Sequence, residues 1–332
     1  MKFFRILLCA VVLTGIVQAQ HPDAGTVAFP FLNLNYDARG VGMGNASFGV
    51  PNEIYGVLSN PASIAFVEQV QVMGGYRQII MDVWGGPLAY LHPTQYGVVA
   101  ANLTALTSGA FEAVDEDGMN TGHIARSSYV SGGVTWARLF NKNISAGVTV
   151  KGVYNHLGTD ELNYSADGFA IDAGMQYRSL TKRWVIGAVF SDFGFMRSGY
   201  TGTDSQKYSF PYGFGAGISY VPRHVPTLRV ALDLEKRKGD YLNFRPGFEF
   251  SLMKNVFLRG GYCFSSEDLG KAVEVFRGNR DEDYQKSNMK TLSLGVGMAT
   301  TMDRMDLNLD VALQLYSDVA LPAVLISLIA GF

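Results

Sequence analysis

Alternation of apolar and polar residues with a period of two, sustained over ten or more residues and repeated in segment after segment, restricts this chain more than any other feature. From Thr227, one face carries Leu228, Val230, Leu232 and Leu234, and the other carries Arg229, Asp233 and Glu235. The pattern returns with Leu242, Phe244, Phe248, Phe250 and Leu252 against Asn243, Arg245, Glu249 and Ser251. It returns again with Leu307, Leu309, Val311, Leu313 and Leu315 against Asp306, Asn308, Asp310 and Gln314. Successive side chains of a strand point to opposite faces, so each segment is an extended strand with one hydrocarbon face and one polar face. Sheets of soluble proteins alternate too, but their strands run about 5 to 6 residues, whereas a tilted strand crossing a bilayer needs about 9 to 11. The lengths here match the membrane value.

The same template marks segments near 67–80, 85–91, 95–107, 127–139, 143–154, 166–178, 183–193, 211–221, 226–236, 241–252, 255–265, 290–301, 305–316 and 321–332, fourteen in all. An even number of strands lets an antiparallel barrel close with both chain ends on one side. Short connections fall at His92–Thr94, Asn141–Lys142, Leu180–Lys182, Val221–Val225, Met253–Lys254 and around Met302–Arg304. Three long ones, about 108–126, 194–210 and 266–289, all fall on the opposite side. Outer-membrane barrels alternate short periplasmic turns with long external loops in this way. The expected fold is therefore all-β: a 14-stranded antiparallel transmembrane β-barrel over 67–332. Phe332 ends its last strand, with Val324, Ile326, Leu328 and Ala330 on its face.

Met1 to Ala19 has a basic start at Lys2 and Arg5, an apolar run from Ile6 to Val17, and small or apolar residues at Val17 and Ala19. This is the pattern of a secretory signal peptide cleaved after Ala19. The run of about twelve residues is too short to span a bilayer as a helix, which needs about 20. Export and a barrel together place the chain in the outer membrane of a Gram-negative cell, with outer-membrane lipid as its surroundings. Cys9 leaves with the signal, and Cys263 alone cannot form an intramolecular disulfide. Losing the signal lowers the basic count from 27 to 25 against 29 acidic residues, a formal charge of -4. No basic field remains to hold a phosphate backbone, so nucleic acid is excluded as a partner.

Residues 20–66 do not alternate, yet are too apolar and glycine-rich for a solvated tail. They contain Phe31-Leu32-Asn33-Leu34, then Asp37-Ala38-Arg39-Gly40-Val41-Gly42-Met43-Gly44, then Ser59-Asn60-Pro61-Ala62-Ser63-Ile64-Ala65-Phe66. This run resembles the amino-terminal signature of the PorV/PorQ family, a branch of the FadL-like outer-membrane barrels, and the PorV side more than the PorQ side. The resemblance implies an amino-terminal hatch, or plug, over 20–66 inside a fourteen-stranded barrel. Independently of it, Gly40, Gly42 and Gly44 let the backbone pass close to a wall or take positive φ, and Asn60-Pro61 favours a turn into the first strand. Asp37 and Arg39 are expected to meet opposite charges from the wall, for which Arg229, Asp233, Glu235, Arg245, Glu249, Arg259 and Asp310 are available. Asp37, Arg39, Gly40, Gly42, Met43, Gly44, Asn60, Pro61 and Ala62 form the candidate plug motif.

Signals for chemistry are missing. His21, His92, His123, His156 and His224 are dispersed and stand near no second ligand at metal spacing. Gly40-Val41-Gly42-Met43-Gly44 fails as a dinucleotide loop, because Ser47 stands where the third glycine belongs and no parallel βαβ unit surrounds it. Asp115-Glu116-Asp117-Gly118 fails as a calcium loop, since Ala113 occupies the first ligand position. No G-x-S-x-G elbow exists. The expectation is a non-enzymatic protein without cofactor or metal.

Two functions follow as expectations. The resemblance implies a component of type IX secretion that receives secreted cargo through the cargo's carboxy-terminal domain and presents it to surface attachment machinery. Its partners would be cargo proteins and other secretion-system subunits. Val275, Phe276, Arg277 and Arg280, in the 266–289 loop, combine an apolar cluster with charge and form the candidate partner surface. The alternative is a FadL-like channel for hydrophobic compounds, gated by the hatch. A purely structural barrel and an outer-membrane hydrolase stand behind these two.

Overall fold

A computed structural model of the chain describes Asp23 and residues 25–51, 53–79, 82–114, 120–158, 163–200, 208–268, 291–316 and 321–332. The expected signal segment 1–19 lies outside the described residues. Fourteen strands form one closed barrel: β1 (Gln71–Gln78), β2 (Trp84–Thr94), β3 (Gly97–Val114), β4 (Asn120–Leu139), β5 (Ile144–Gly158), β6 (Asn163–Arg178), β7 (Trp184–Ser198), β8 (Gly213–Tyr220), β9 (Leu228–Arg237), β10 (Leu242–Met253), β11 (Val256–Ser265), β12 (Thr291–Met302), β13 (Met305–Tyr316) and β14 (Ala323–Gly331). Each strand pairs antiparallel with its chain neighbours, and β1 closes on β14 from Gln71 opposite Gly331 to Gln78 opposite Val324. Every strand ladder is thus satisfied and no edge is left open, the condition for backbone in hydrocarbon.

The alternation resolves into an outside and an inside. Val230, Leu232 and Leu234 are exposed on the outer surface, while Asp233, Glu235 and Arg237 between and beyond them are buried. Aromatic side chains belt the exterior at two heights. One belt includes Tyr76 stacked on Trp84, and the other Trp136, Tyr177 and Trp184, the last stacked on Tyr220 at 4.0 Å. Trp84, at one end of β2, and Tyr96, in the turn beyond its other end, are twelve residues apart. At about 3.3 Å per residue and a tilt of about 40° that is about 30 Å, the scale of a bilayer's apolar core.

The count and order of strands match the expectation, but several limits move. β3 and β4 continue through most of 108–126, which alternation assigned to a loop. Gly109 at φ 67° and a register shift between Thr107 and Ala110 break the period, after which pairing resumes with Phe111 opposite Ala125. Asp192, at φ 59°, does the same in β7: a bulge opposite Asp172 interrupts the pattern, and the strand runs on to Ser198 instead of 193. A bulge inserts one residue, so polar and apolar positions exchange faces beyond it. β2 extends to Thr94, which moves the first short turn to Gln95–Tyr96.

Residues 25–66 have little regular structure: a short α-helix, α1 (Ala38–Gly42), and 3-10 turns at Pro30–Asn33, Ile54–Leu58 and Pro61–Phe66. They begin at the long-connection end, where Asp23 pairs with Lys238 at 3.5 Å and Val27 bridges Ser209. They then run along the inward-facing side chains to Val67 and the start of β1 at the short-turn end. Two apolar clusters cover this path. Phe29, Phe31 and Tyr36 pack with Leu106, Val153, Met196 and Phe210 toward the long-connection end, and Ile54, Tyr55 and Ile64 pack with Met73, Leu91, Val98 and Ile329 toward the other.

Candidate functional site: the amino-terminal segment against the inner wall

Arg39 is the polar centre of the segment. Its Nε and Nη2 donate to the two oxygens of Glu249 on β10 at 2.9 and 2.8 Å, and Nη1 donates to the Pro51 carbonyl at 2.8 Å. Paired, parallel N–H···O bonds of this kind fix orientation as well as supply energy. Glu249 also accepts from Arg259 on β11 at 2.8 Å, and Arg259 donates at 2.6 Å to Asp310 on β13. Asp310 accepts in turn from the Tyr55 hydroxyl at 2.8 Å. Two segment residues and three wall residues thus form one continuous chain of charge and hydrogen bonds, bordering a cavity of about 170 Å³.

Asp37 behaves differently from Arg39: the Arg259 charge of the wall acts on it, but no wall cation forms an ion pair with it among the described residues. It is fully buried at the N-cap of α1 with no side-chain cap bond, and neither carboxylate oxygen has a hydrogen-bond partner. Burial pushes its pKa up to about 7, against the weaker opposing pull of the Gly40 amide and the Arg39 charge. The remaining wall candidates pair with other wall side chains or with backbone. Arg229 donates to Ser219 at 3.1 Å, and Arg245 pairs with Glu235. Asp233 accepts from the amides of Ser47 and Phe48 at 2.6 and 2.7 Å, so it holds the segment through backbone.

The other motif residues act through shape. Gly44 has φ 69°, and a Cβ there would stand 2.9 Å from the Gly261 Cα, so both conformation and space demand glycine. Met43 is fully buried against Gly247 and Gly261, Gly42 approaches Gly295, and Gly40 lies beneath the Asp37 carboxylate. Asn60 accepts from the Ala62 amide at 3.1 Å, and its Nδ2 donates to the Phe48 and Met175 carbonyls at 3.0 and 3.3 Å. Pro61 opens the following 3-10 turn, and the Ala62 carbonyl accepts from Ser145 on β5 at 2.8 Å. Phe66 lies under the Arg178 guanidinium, 3.6 Å from its ring centre. Val275, Phe276, Arg277 and Arg280 lie outside the described residues.

Sequence reasoning missed the wall's half of this fit. Gly147, Gly174, Gly187, Gly217, Gly247, Gly261 and Gly295 stand on the inward faces of seven strands where segment backbone or Asn60 comes closest. A signal existed: in the barrel register these glycines share the face of Lys151, Asp172, Asp233 and Glu249. Leucine at Gly261 would collide with the backbone of Met43 and Gly44. Gly261→Leu is expected to weaken docking of 38–48 by about 1–3 kcal/mol, the usual cost of overpacking, and to let trypsin cut after Arg39 while the barrel stays heat-modifiable on gels. Gly152→Ala, whose nearest neighbour is a Phe169 ring carbon at 3.8 Å, is the control and should cut like the parent.

No family model matches the chain, and no curated protein matches it by sequence. Solved structures do match in fold. The toluene transporter TodX of Pseudomonas putida superposes with a TM-score of 0.62 over 90% of this chain and 96% of its own, at 14% identity. The toluene transporter TbuX of Ralstonia pickettii gives 0.59 over 92% and 98%, at 13% identity. A Pseudomonas aeruginosa FadL homologue gives 0.50 over 96% and 99%, at 12% identity. The fold is therefore that of the FadL-like outer-membrane barrels. The PorV/PorQ resemblance rests on the amino-terminal motif.

Proposed function

We propose that the chain is an outer-membrane channel for small hydrophobic compounds, with residues 20–66 as the hatch that closes its lumen. The observation that carries this reading is the apolar interior toward the long-connection end. There Leu106, Val153, Met196 and Phe210 point inward and meet Phe29, Phe31 and Tyr36 of the hatch, with Phe29 and Phe210 ring centres 5.0 Å apart. A channel for polar solutes would line this region with polar groups, whereas an apolar compound entering here replaces one hydrocarbon contact with another. TodX and TbuX, described as toluene transporters, share this architecture.

A second reading is favoured by a different observation. Toward the short-turn end the hatch is held by the Arg39–Glu249–Arg259–Asp310 chain, a lining suited to a fixed plug more than to passing apolar molecules. A sealed barrel with the PorV-like motif would serve as a surface platform receiving secreted cargo. Uptake of an apolar fluorescent dye by cells with and without the full chain separates the two. The channel reading expects faster uptake with the chain and a return to background in Val153→Glu, which places a charge in the apolar cluster. Uptake unchanged by the chain, with secreted proteins retained on the solubilised barrel, would transfer the assignment to the cargo platform.

A further inference from the structure

Five consecutive short turns share a two-residue pattern. Between β4 and β5 stand Phe140 and Lys142, between β6 and β7 Leu180 and Lys182, and between β8 and β9 Arg223 and Val225. Met253 and Lys254 stand at the β10–β11 turn, and Met302 and Arg304 at the β12–β13 turn. Each turn sets an exposed apolar side chain one or two residues from an exposed cation. Phe140 is 71% exposed, Leu180 83%, Met253 65%, Met302 59% and Val225 42%. None of the five cations forms an ion pair among the described residues. The one acid in these turns is Asp303. The sixth described short turn, Gln95–Tyr96, has no charge, so the cations form an arc over part of the rim.

Apolar side chains on turns facing open water would gain nothing from their position, and five unpaired cations packed along one rim would repel one another. Both features make sense at an interface where the apolar group enters the edge of the hydrocarbon and the cation meets an anion. The height is right: Trp136, Trp184 and Tyr220 lie on the outer surface within a few residues of these turns, and such aromatic belts sit at headgroup level. We infer that this arc is a binding surface for anionic phospholipid headgroups in the leaflet that meets the short-turn end. The phosphate supplies the charge, and the exposed apolar residue beside each cation packs on the first acyl carbons. The surface is independent of what passes through the lumen.

The test uses the full chain folded into vesicles of phosphatidylcholine and phosphatidylglycerol in equal parts. It is then extracted in mild detergent, and the retained lipid is analysed by headgroup. Phosphatidylglycerol is expected to be enriched about five-fold over the bulk ratio, the weight of one surface cation, and the enrichment should shrink in about 0.5 M salt. A variant carrying Lys142→Gln, Lys182→Gln, Arg223→Gln, Lys254→Gln and Arg304→Gln should fold, as judged by heat-modifiability, and retain both lipids in the bulk ratio. Equal retention by the parent, or enrichment that survives in the variant, overturns the inference. So does a parent that shows no lipid preference but cross-links through position 182 to an acidic soluble protein.

Discussion

Replacing Glu249 with glutamine should loosen residues 25–66 from the barrel wall more than any other single exchange. Glu249 is the anion between two guanidinium groups, Arg39 at 2.8 Å and Arg259 at 2.8 Å. Arg259 keeps Asp310 at 2.6 Å when Glu249 is neutralised, but Arg39 loses its paired carboxylate and keeps only neutral acceptors, the Pro51 carbonyl of its own segment and the amide oxygen of the glutamine. A buried charge stripped of its partner costs about 3–5 kcal/mol, and nearly all of that cost falls on the docked segment. Arg39→Met should cost less, because Glu249 retains Arg259. Combining the two changes should cost less than their sum, since each removes the same bond. The measurement is trypsin cleavage after Arg39 in the folded, heat-modifiable barrel, where the parent should be protected. If Glu249→Gln leaves Arg39 as resistant as the parent, the ion pair does not hold the segment.

The strand count was legible because two solvents read the two faces of each strand: lipid demands hydrocarbon outside, and the packed interior accepts polar groups inside. That signal fails where the backbone leaves the regular pleat. At Gly109 and Asp192 one added residue turns the pattern over, and a reading based on period stops there although the ladders continue. Strand ends beyond the membrane are invisible for a related reason. β3 and β4 run 18 and 20 residues, about twice what the bilayer needs, and past its edge nothing enforces the alternation.

The interior contacts were less legible. Four acidic wall residues, Asp233, Glu235, Glu249 and Asp310, were available to Arg39, and only the closed barrel selects Glu249, 210 residues away in sequence. Asp233 was read as a partner for charge, but it accepts from two backbone amides, and amides leave no trace in a list of charged residues. The wall glycines carry their information in their register. Seven of them face inward where the segment comes closest, so the groove for the segment is formed by missing side chains.

Asp37 makes docking of the segment depend on pH. Its carboxyl is fully buried, and its neighbours are the Gly40 amide, the Arg39 and Arg259 cations, and Asp310. Burial outweighs the cations and raises its pKa from 3.8 to about 7. A carboxyl with a raised pKa in the docked state binds its proton more tightly there than when released. Docking is therefore at full strength below about pH 4 and weakens as pH rises toward 7. Above that, both states are ionised and the loss is constant, on the order of 4 kcal/mol at 1.36 kcal/mol per unit. Glu53, also raised by burial, acts in the same direction. Asp37→Asn should therefore remove the part of the change that Asp37 carries and leave the slope due to Glu53. Hydrogen exchange at the Val41 and Met43 amides, bonded to Asp37 and to Arg39 and Gly40 in α1, reads this directly once rates are corrected for the intrinsic effect of pH. The parent should lose protection between pH 4 and 7, and Asp37→Asn should lose less. Equal losses in the two proteins would mean that Asp37 keeps its charge compensated when the segment is docked.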